Sequence, residues 1–585
     1  MRGASLVAVF VVAKILMLAG RDVSWTWWTI PAYFWHDVAA GAAFWIVDVL
    51  ARRRRLLWLF YTVLALYAAV NVPVARALSS PLTMPMWRAA GGPLLDSITF
   101  YLTPANLAAM AAVILTAIAA PILLARVSPR WRRPAVAGAL VLLAVGPFAA
   151  ARVDTVGLHR NAVTALVATM TPRLASRSGQ GDWRTSPFSE KSSDDLAAYR
   201  GAAAGMNVVL VILESTGAQY LAPYGAADDP TPTLSRLASD AIVFEHAYAV
   251  YPESIKGLFA TLCGRPPAFD VDAETHAKSP CAPLTRLLAS QGYRTALVHS
   301  GRFSYLGMEA VLGQQGFDAL ADAGDIGGNH QSSFGVDEPA AVDHLLRWID
   351  TLPAGQRFFL AYLPVAGHHP YSAPEAGPFP PATDLGAYKN SLHYGDAALG
   401  TFLEGLRRRG LDRRTMYVVV GDHAEAFGQH DGNYGHSLFI YEENIRVPLV
   451  IRLPEEARRT GPVRVARVAS VIDIAPTILD LLGVTASTLH DGVSLLRPRE
   501  RMALFFTDYA LGWLGLRDGC WKLVLEVESK RSRLYDLCRD PGETTDRSAE
   551  APERVDAYRD RVEQWARARR AQVTSSPASP RGTPR

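Results

Sequence analysis

At 585 residues the chain exceeds one ordinary domain. Its hydrophobic content of 50%, charged content of 19% and mean hydropathy of +0.09 are too apolar for a wholly soluble protein and too polar for a wholly membrane one. A formal net charge of +4 makes no case for nucleic acid binding, and zinc-finger spacing, RNA-binding signatures and basic–aromatic interleaving are all missing from the sequence.

The apolar excess lies before residue 152, in five spans near 4–19, 30–50, 56–75, 104–124 and 135–151. Each approaches the length that crosses about 30 Å of hydrocarbon. The first alone resembles a signal peptide, with Arg2 ahead of an apolar core, but four further spans favour a multi-pass membrane domain over residues 1–152. The arginine run 52–55 follows the second span, and Arg126, Arg130, Arg132 and Arg133 follow the fourth. Positive charge stays on the cytoplasmic side, so the amino terminus is expected inside and everything after residue 152 outside an inner membrane, on the periplasmic or extracellular face. Trp25, Trp27 and Trp28 then fall at the outer interface. Lys14, His36, Asp37 and Asp48 are costly in lipid; they read either as headgroup contacts or, the favoured reading, as helix pairing and snorkelling.

Residues 153–205 read as a connector: a membrane-surface amphipathic helix over 156–167, then a linker marked by Ser176, Ser178, Gly179, Gly181, Ser192 and Ser193. From 206 to 500, short apolar strands alternate with helical stretches such as 281–291 and 335–352. That alternation predicts an α/β domain with a largely parallel sheet and helices on both faces. Antiparallel strands at 522–528 and 533–537 and a charged helix over 556–572 suggest a small C-terminal α+β subdomain over 501–572, and 573–585 a disordered tail. Cys263 lies near Cys281, and Cys520 near Cys538. An even count in an oxidising compartment suggests two local disulfides, although three connectivities are possible from sequence.

Several strands release chemistry-bearing residues at their carboxyl ends. NVVLVIL at 207–213 stops at Glu214, MYVVVG at 416–421 stops at Asp422 and His423, RTALV at 294–298 stops at His299, and FFLAYL at 358–363 leads to His368. Glu214, Asp422 and His423 offer two oxygens and an imidazole, a set suited to a divalent metal: zinc or manganese first, then magnesium or calcium. The bland alternative makes Glu214 and Asp422 helix caps. Ser254 stands at the start of an apolar helical stretch, where the dipole and free amides favour an anion, and Lys256 is close enough to add charge; alone, such a serine is more often a cap.

Three stretches, Asn207 to Thr216, TPTLSRLA at 231–238 and Ser254 to Arg265, resemble the opening of the sulfatase family within the alkaline phosphatase superfamily. The run from Gly421 to Pro454 resembles that family's second metal block, and LYDLCRDPGETTD at 534–546 its ending. The five-span amino terminus is similar to lipoteichoic acid synthases and lipid A phosphoethanolamine transferases. The resemblance implies a sulfatase-like mixed sheet, metal ligation by Glu214, Ser254, Asp422 and His423, and Ser254 as nucleophile. It also implies His368 and His436 as catalytic histidines, with Lys256, His299 and His430 as substrate-site candidates. One departure bears on the chemistry. Sulfatases carry Pro or Ala two residues, and Arg four residues, after the residue oxidised to formylglycine, and here those places hold Lys256 and Leu258. An unmodified serine suits transfer or hydrolysis of a phosphoryl-bearing group from a phosphodiester, with a membrane lipid or envelope glycan as partner. A sulfuric ester hydrolase is the alternative, and a non-catalytic tethered binding domain the weakest reading.

Overall fold

The computed structural model describes residues 2–574 apart from 22, 52–53, 90–100, 176–182, 189–194, 273–274, 276, 278, 306, 330–333, 459–460 and 498–501. The linker serines and glycines at 176–181 and 192–193, Arg52, and the tail from 575 therefore lie outside the described residues.

Each of the five apolar spans is helical: α1 Arg2–Leu18, α2 Thr29–Leu50, α3 Arg54–Leu78, α4 Pro104–Ala125 and α5 Arg132–Arg152. By length and composition α3, α4 and α5 can cross a membrane. At 17 residues α1 is shorter, and α2 carries His36, Asp37 and Asp48 in its 22. The helices share one apolar core in which alanines such as Ala13, Ala65, Ala68, Ala69, Ala109 and Ala149 allow close approach. Polar residues of α1 and α2 pin the connector to this bundle. Lys14 Nζ donates to the Leu158 and Arg160 carbonyls, both at 2.7 Å, and lies 3.6 Å from Asp37 Oδ2. Asp37 Oδ1 accepts from Asn161 Nδ2 at 2.7 Å, His36 Nδ1 meets Thr164 Oγ1 at 2.8 Å, and Arg2 pairs with Asp48 at 2.7 Å.

The connector helix is shorter than expected. Val156 (φ 47°) and Gly157 (φ 83°) take left-handed backbone, so a turn occupies 154–160 and α6 covers only Ala162–Ala168, capped by Asn161.

Residues 207–470 are built on an eight-stranded mixed sheet of order β10-β2-β9-β6-β1-β5-β3-β4. Its strands are β1 Asn207–Leu213, β2 Ile242–Tyr248, β3 Arg294–His299, β4 Ala319–Ala321, β5 Phe358–Leu363, β6 Thr415–Gly421, β9 Arg446–Arg452 and β10 Val463–Ser470; the short pair β7 Ala426–Phe427 and β8 Tyr434–Gly435 stands apart. All neighbours pair in parallel except β9, which runs antiparallel to both β2 and β6. Both faces are covered. Val208, Leu210 and Ile212 join one core with Phe359, Ala361, Met416 and Val418, whereas Val209 and Val211 join the other with Leu360, Tyr362, Tyr417 and Val419. Continuous apolar strands follow from burial on both sides.

Strands β11 Ala503–Thr507, β12 Trp513–Asp518, β13 Trp521–Glu526 and β14 Ser532–Asp536 form a separate antiparallel sheet, and a helix over Pro552–Thr574 packs against it through Tyr558, Val562 and Trp565. The local disulfides are Cys263–Cys281 and Cys520–Cys538.

Candidate metal and nucleophile site

Parallel pairing brings the carboxyl ends of β6, β1, β5 and β3 to one edge. Leu213 is in register with Gly421, so Glu214 and Asp422 emerge side by side, and the Asp422 amide donates to the Leu213 carbonyl at 3.1 Å. Two antiparallel steps through β9 orient β2 like β6. Six residues beyond β2, Ser254 opens helix α7, Ser254–Cys263.

The three ligand candidates are buried: Glu214 at 6%, Asp422 at 3% and His423 at 0% exposure. His423 Nε2 lies 3.5 Å from both Glu214 Oε1 and Asp422 Oδ2. Ser254 Oγ donates to Glu214 Oε2 at 2.8 Å and stands 3.4 Å from His423 Nε2. The N-cap of α7 is Glu253 and makes no side-chain cap bond, so the Ser254 hydroxyl serves the acidic cluster rather than the helix end. Asp422 Oδ1 accepts from the Ser215 and His423 amides at 2.9 and 2.7 Å, which fixes the carboxylate in a turn and leaves Oδ2 toward the centre.

The donor set fits a divalent cation. His423 Nδ1 faces the Ala424 carbonyl at 3.0 Å, a contact that requires a proton on Nδ1 and aims Nε2 at the carboxylates. Burial penalises charge throughout. It pushes the Asp422 carboxyl up to about 7, with the Glu214 charge adding to the effect. Against burial, which lowers it, the Asp422 and Glu214 carboxylates raise His423 to about 10. The pocket thus selects for positive charge at its centre, which a proton or a metal ion can supply. Among the described residues His423 is the only ion-pair partner of either carboxylate.

A second group adjoins the first. His436 Nδ1 binds Glu425 Oε2 at 2.7 Å, Tyr371 Oη donates to Glu425 Oε1 at 2.6 Å, and Tyr220 Oη donates to the Glu425 carbonyl at 2.7 Å. The His436 ring lies 4.2 Å from the His423 ring and 6.4 Å from His368. His423, Glu425 and His436 present ligand atoms within 4.8 Å of one another, a second set able to hold a metal. Sequence reasoning passed over Glu425 and Tyr371. The available signal was an acid two residues after a ligand histidine, and the need of His436 for a carboxylate to fix its ring.

His368 joins the cluster, with Nδ1 at 2.6 Å from the His369 carbonyl and its ring 4.3 Å from Phe334. His299 sits at the end of β3 with Nδ1 at 2.9 Å from the Leu363 carbonyl; burial lowers its pKa. Lys256 turns to Asp508, 3.2 Å away, with Nζ 3.7 Å from the centre of the Tyr251 ring. His430 is not brought to the cluster. Its Nδ1 binds Glu443 at 2.6 Å, its Nε2 lies 3.4 Å from the Glu543 carbonyl, and its ring stacks on Tyr441 at 3.7 Å.

The rim of the site touches the N-terminal helical bundle and its loops. Ser79 donates to the Gly432 carbonyl, Arg21 Nη1 to Ser79 Oγ at 3.0 Å, and Thr83 Oγ1 to the Tyr509 carbonyl at 2.6 Å, while Tyr101 stacks on His369 at 6.2 Å. Gly432 needs its missing side chain: a Cβ would meet Arg21 Nη1 at 2.6 Å on backbone of φ 72°.

Comparison with known proteins gives a consistent picture. A family model described as Sulfatase matches residues 206–484, and one described as N-sulphoglucosamine sulphohydrolase, C-terminal, matches 430–564. Lipoteichoic acid synthase 2 of Bacillus subtilis is 25% identical over 330 residues, 53% of this chain and 50% of its own length. Arylsulfatase K of Bos taurus is 30% identical over 177 residues, 27% of this chain and 32% of that one. The chain thus spans about half the length of the lipoteichoic acid synthase relatives it matches. Among solved structures, an alkaline phosphatase superfamily protein from Vibrio parahaemolyticus aligns with a TM-score of 0.53 at 23% identity, covering 64% of this chain and 89% of that one. The lipoteichoic acid synthase LtaP from Listeria monocytogenes aligns at 0.51 and 19%, covering 66% and 96%. These structural likenesses speak to the fold.

Proposed function

We propose that this chain, whose residues 206–484 match the Sulfatase family model, is a membrane-anchored, metal-dependent enzyme that uses Ser254 to transfer or hydrolyse a phosphoryl-bearing group from a phosphodiester. The observation that carries this reading is the Ser254 hydroxyl, 2.8 Å from Glu214 within the acidic cluster, in a segment where Lys256 and Leu258 replace the formylglycine signal. Glu214, Asp422, His423 and Ser254 would hold the metal, which supplies positive charge to ease deprotonation of the hydroxyl and to offset charge on the ester.

The residues of the chain do the rest. Ser254 Oγ passes its proton to Glu214 Oε2, its hydrogen-bond acceptor, and forms a bond to phosphorus as the bond to the leaving alcohol breaks; in the second step the Oγ–phosphorus bond breaks as the incoming hydroxyl bonds to phosphorus. His436, whose Nδ1 is held by Glu425, presents Nε2 as the acid for the leaving oxygen and then as the base for the incoming hydroxyl. His368 stands on the same side as a second contact for the transferred group. Contacts of Ser79, Thr83 and Tyr101 with the rim support a phospholipid donor drawn from the outer leaflet, with five membrane helices and the arginine clusters inside. An envelope glycan is the acceptor that fits this placement, and zinc or manganese the metal. Residues 206–500 form the catalytic unit in this reading and 501–572 its C-terminal subdomain.

Sulfate ester hydrolysis is the second reading, favoured by the sulphohydrolase-type match at 430–564. Parallel turnover of bis(p-nitrophenyl) phosphate and p-nitrophenyl sulfate by the full-length enzyme separates the two. The proposal expects the phosphodiester to be cleaved and the sulfate left intact; preferential release from the sulfate would overturn it.

A further inference from the structure

One turn of the small sheet reaches the membrane domain, the connector and both halves of the candidate site. It is the segment 507–511 between β11 and β12. Thr507 Oγ1 donates to the Ser437 carbonyl, beside His436. Thr83 binds the Tyr509 carbonyl at 2.6 Å, and Arg160 Nη1 binds that of Ala510 at 3.3 Å. Between them Asp508 is 3% exposed and collects three donors: Tyr251 Oη at 2.8 Å and Lys256 Nζ at 3.2 Å on Oδ1, and the Asp270 amide at 2.6 Å on Oδ2. Tyr251 and Lys256 flank Ser254 in sequence, so a single carboxylate grips the nucleophile's segment on both sides.

The connector in turn grips Asp508. Arg173 Nη2 donates to the Asp508 carbonyl at 2.6 Å and Nη1 to that of Ala510 at 3.2 Å. The Arg173 amide, Nε and Nη2 bind the Asp270 carboxylate at 2.6, 3.0 and 2.6 Å. The other end of the connector is the stretch that Lys14 and Asp37 hold to the membrane bundle. A continuous set of charge-assisted contacts thus runs from α1 to the residues around Ser254.

We infer that Asp508 is a positioning residue: it sets the place of the Ser254 hydroxyl relative to Glu214 and His423 through Tyr251 and Lys256, and it is set in turn by the membrane connector through Arg173. The inference rests on the reading of Ser254 as nucleophile. Tyr251 and Lys256 both bond this carboxylate, so the geometry of attack is what their loss disturbs, and a displacement well under the length of a bond to phosphorus is enough to slow the step.

The test uses full-length enzyme in detergent with bis(p-nitrophenyl) phosphate and p-nitrophenyl sulfate, following whichever turns over. Asp508→Asn keeps the shape and, with its oxygen at the Oδ1 place, the acceptor for Tyr251; it removes the charge that holds Lys256 and the acceptor of the Asp270 amide. It is expected to lower kcat about 10- to 100-fold at a KM within about twofold of the parent, with metal content unchanged. Lys256→Met should lower kcat in the same way, and the double variant should be no worse than the single ones, because both act on one contact. Arg173→Gln should give a smaller loss of the same kind. Amide exchange over residues 251–258 should rise in Asp508→Asn while the β1 and β6 peptides stay protected. Unchanged kcat and exchange in Asp508→Asn, or strictly additive losses in the double variant, overturn the proposal. If Asp508→Asn fails to fold, Lys256→Met and Tyr251→Phe decide by the same kcat and exchange criteria. Ser254→Ala run alongside keeps the two claims apart: an active Ser254→Ala enzyme refutes the nucleophile, whereas an inactive one beside a fully active Asp508→Asn enzyme refutes only the positioning role.

Discussion

Ser254→Ala is expected to lower turnover by at least about 10⁴-fold while fold and bound metal are retained. The hydroxyl reaches the acidic cluster from the α7 start, bonding Glu214 at 2.8 Å and lying 3.4 Å from His423. Because Glu253 rather than Ser254 occupies the cap position, the substitution removes no helix-capping bond. The stability cost is then expected to stay within about 1 kcal/mol, the small end of the range for a lost hydroxyl near a helix start. Ser254→Thr should keep measurable activity, since its hydroxyl survives beside an added methyl. Turnover, thermal midpoint and metal content measured on the same preparations check the claim; a Ser254→Ala enzyme with parent activity contradicts it.

The second large effect is at Asp422. Asp422→Ala removes one of two buried carboxylates and leaves the Ser215 and His423 amides without their acceptor. Each orphaned amide costs about 1–3 kcal/mol, and the site loses charge that a divalent ion needs. Bound metal measured by elemental analysis is expected to fall to background. Added zinc or manganese should raise the parent's midpoint, by an amount equivalent to about 2.7 kcal/mol at a hundredfold excess over Kd, and leave that of the variant unmoved. Full metal occupancy in Asp422→Ala would remove Asp422 from the ligand set.

What the sequence made legible follows from which forces are local. Buried parallel strands are continuous apolar runs, so β1, β5 and β6 and the residues that end them could be read directly. That Glu214 and Asp422 are neighbours depends on the β1–β6 register, with more than 200 residues between them in the chain, and no local pattern encodes it. Glu425 was hidden because a single acid in a loop resembles any other until His436 and Tyr371 are seen on it. His430 has other partners. It was a substrate-site candidate, and its side chain pairs with Glu443 and lies by the Glu543 carbonyl of the C-terminal segment. The connector helix was read too long because an apolar period extends over 156–167, whereas positive φ at Val156 and Gly157 ends the helix before it begins. Lys14 and Asp37 stood out in sequence as costly in lipid; their partners show that each charge is matched where the helical bundle meets the connector.

Phosphoryl transfer requires that position 254 be an ordinary serine that becomes covalently loaded during the reaction. Mass spectrometry of the peptide spanning residues 251–265, taken from resting enzyme and from enzyme exposed to phospholipid vesicles, measures this directly. The account predicts unmodified serine at rest and a phosphoryl-bearing adduct on Ser254 after exposure; formylglycine at position 254 would contradict it and leave sulfate ester hydrolysis as the reaction.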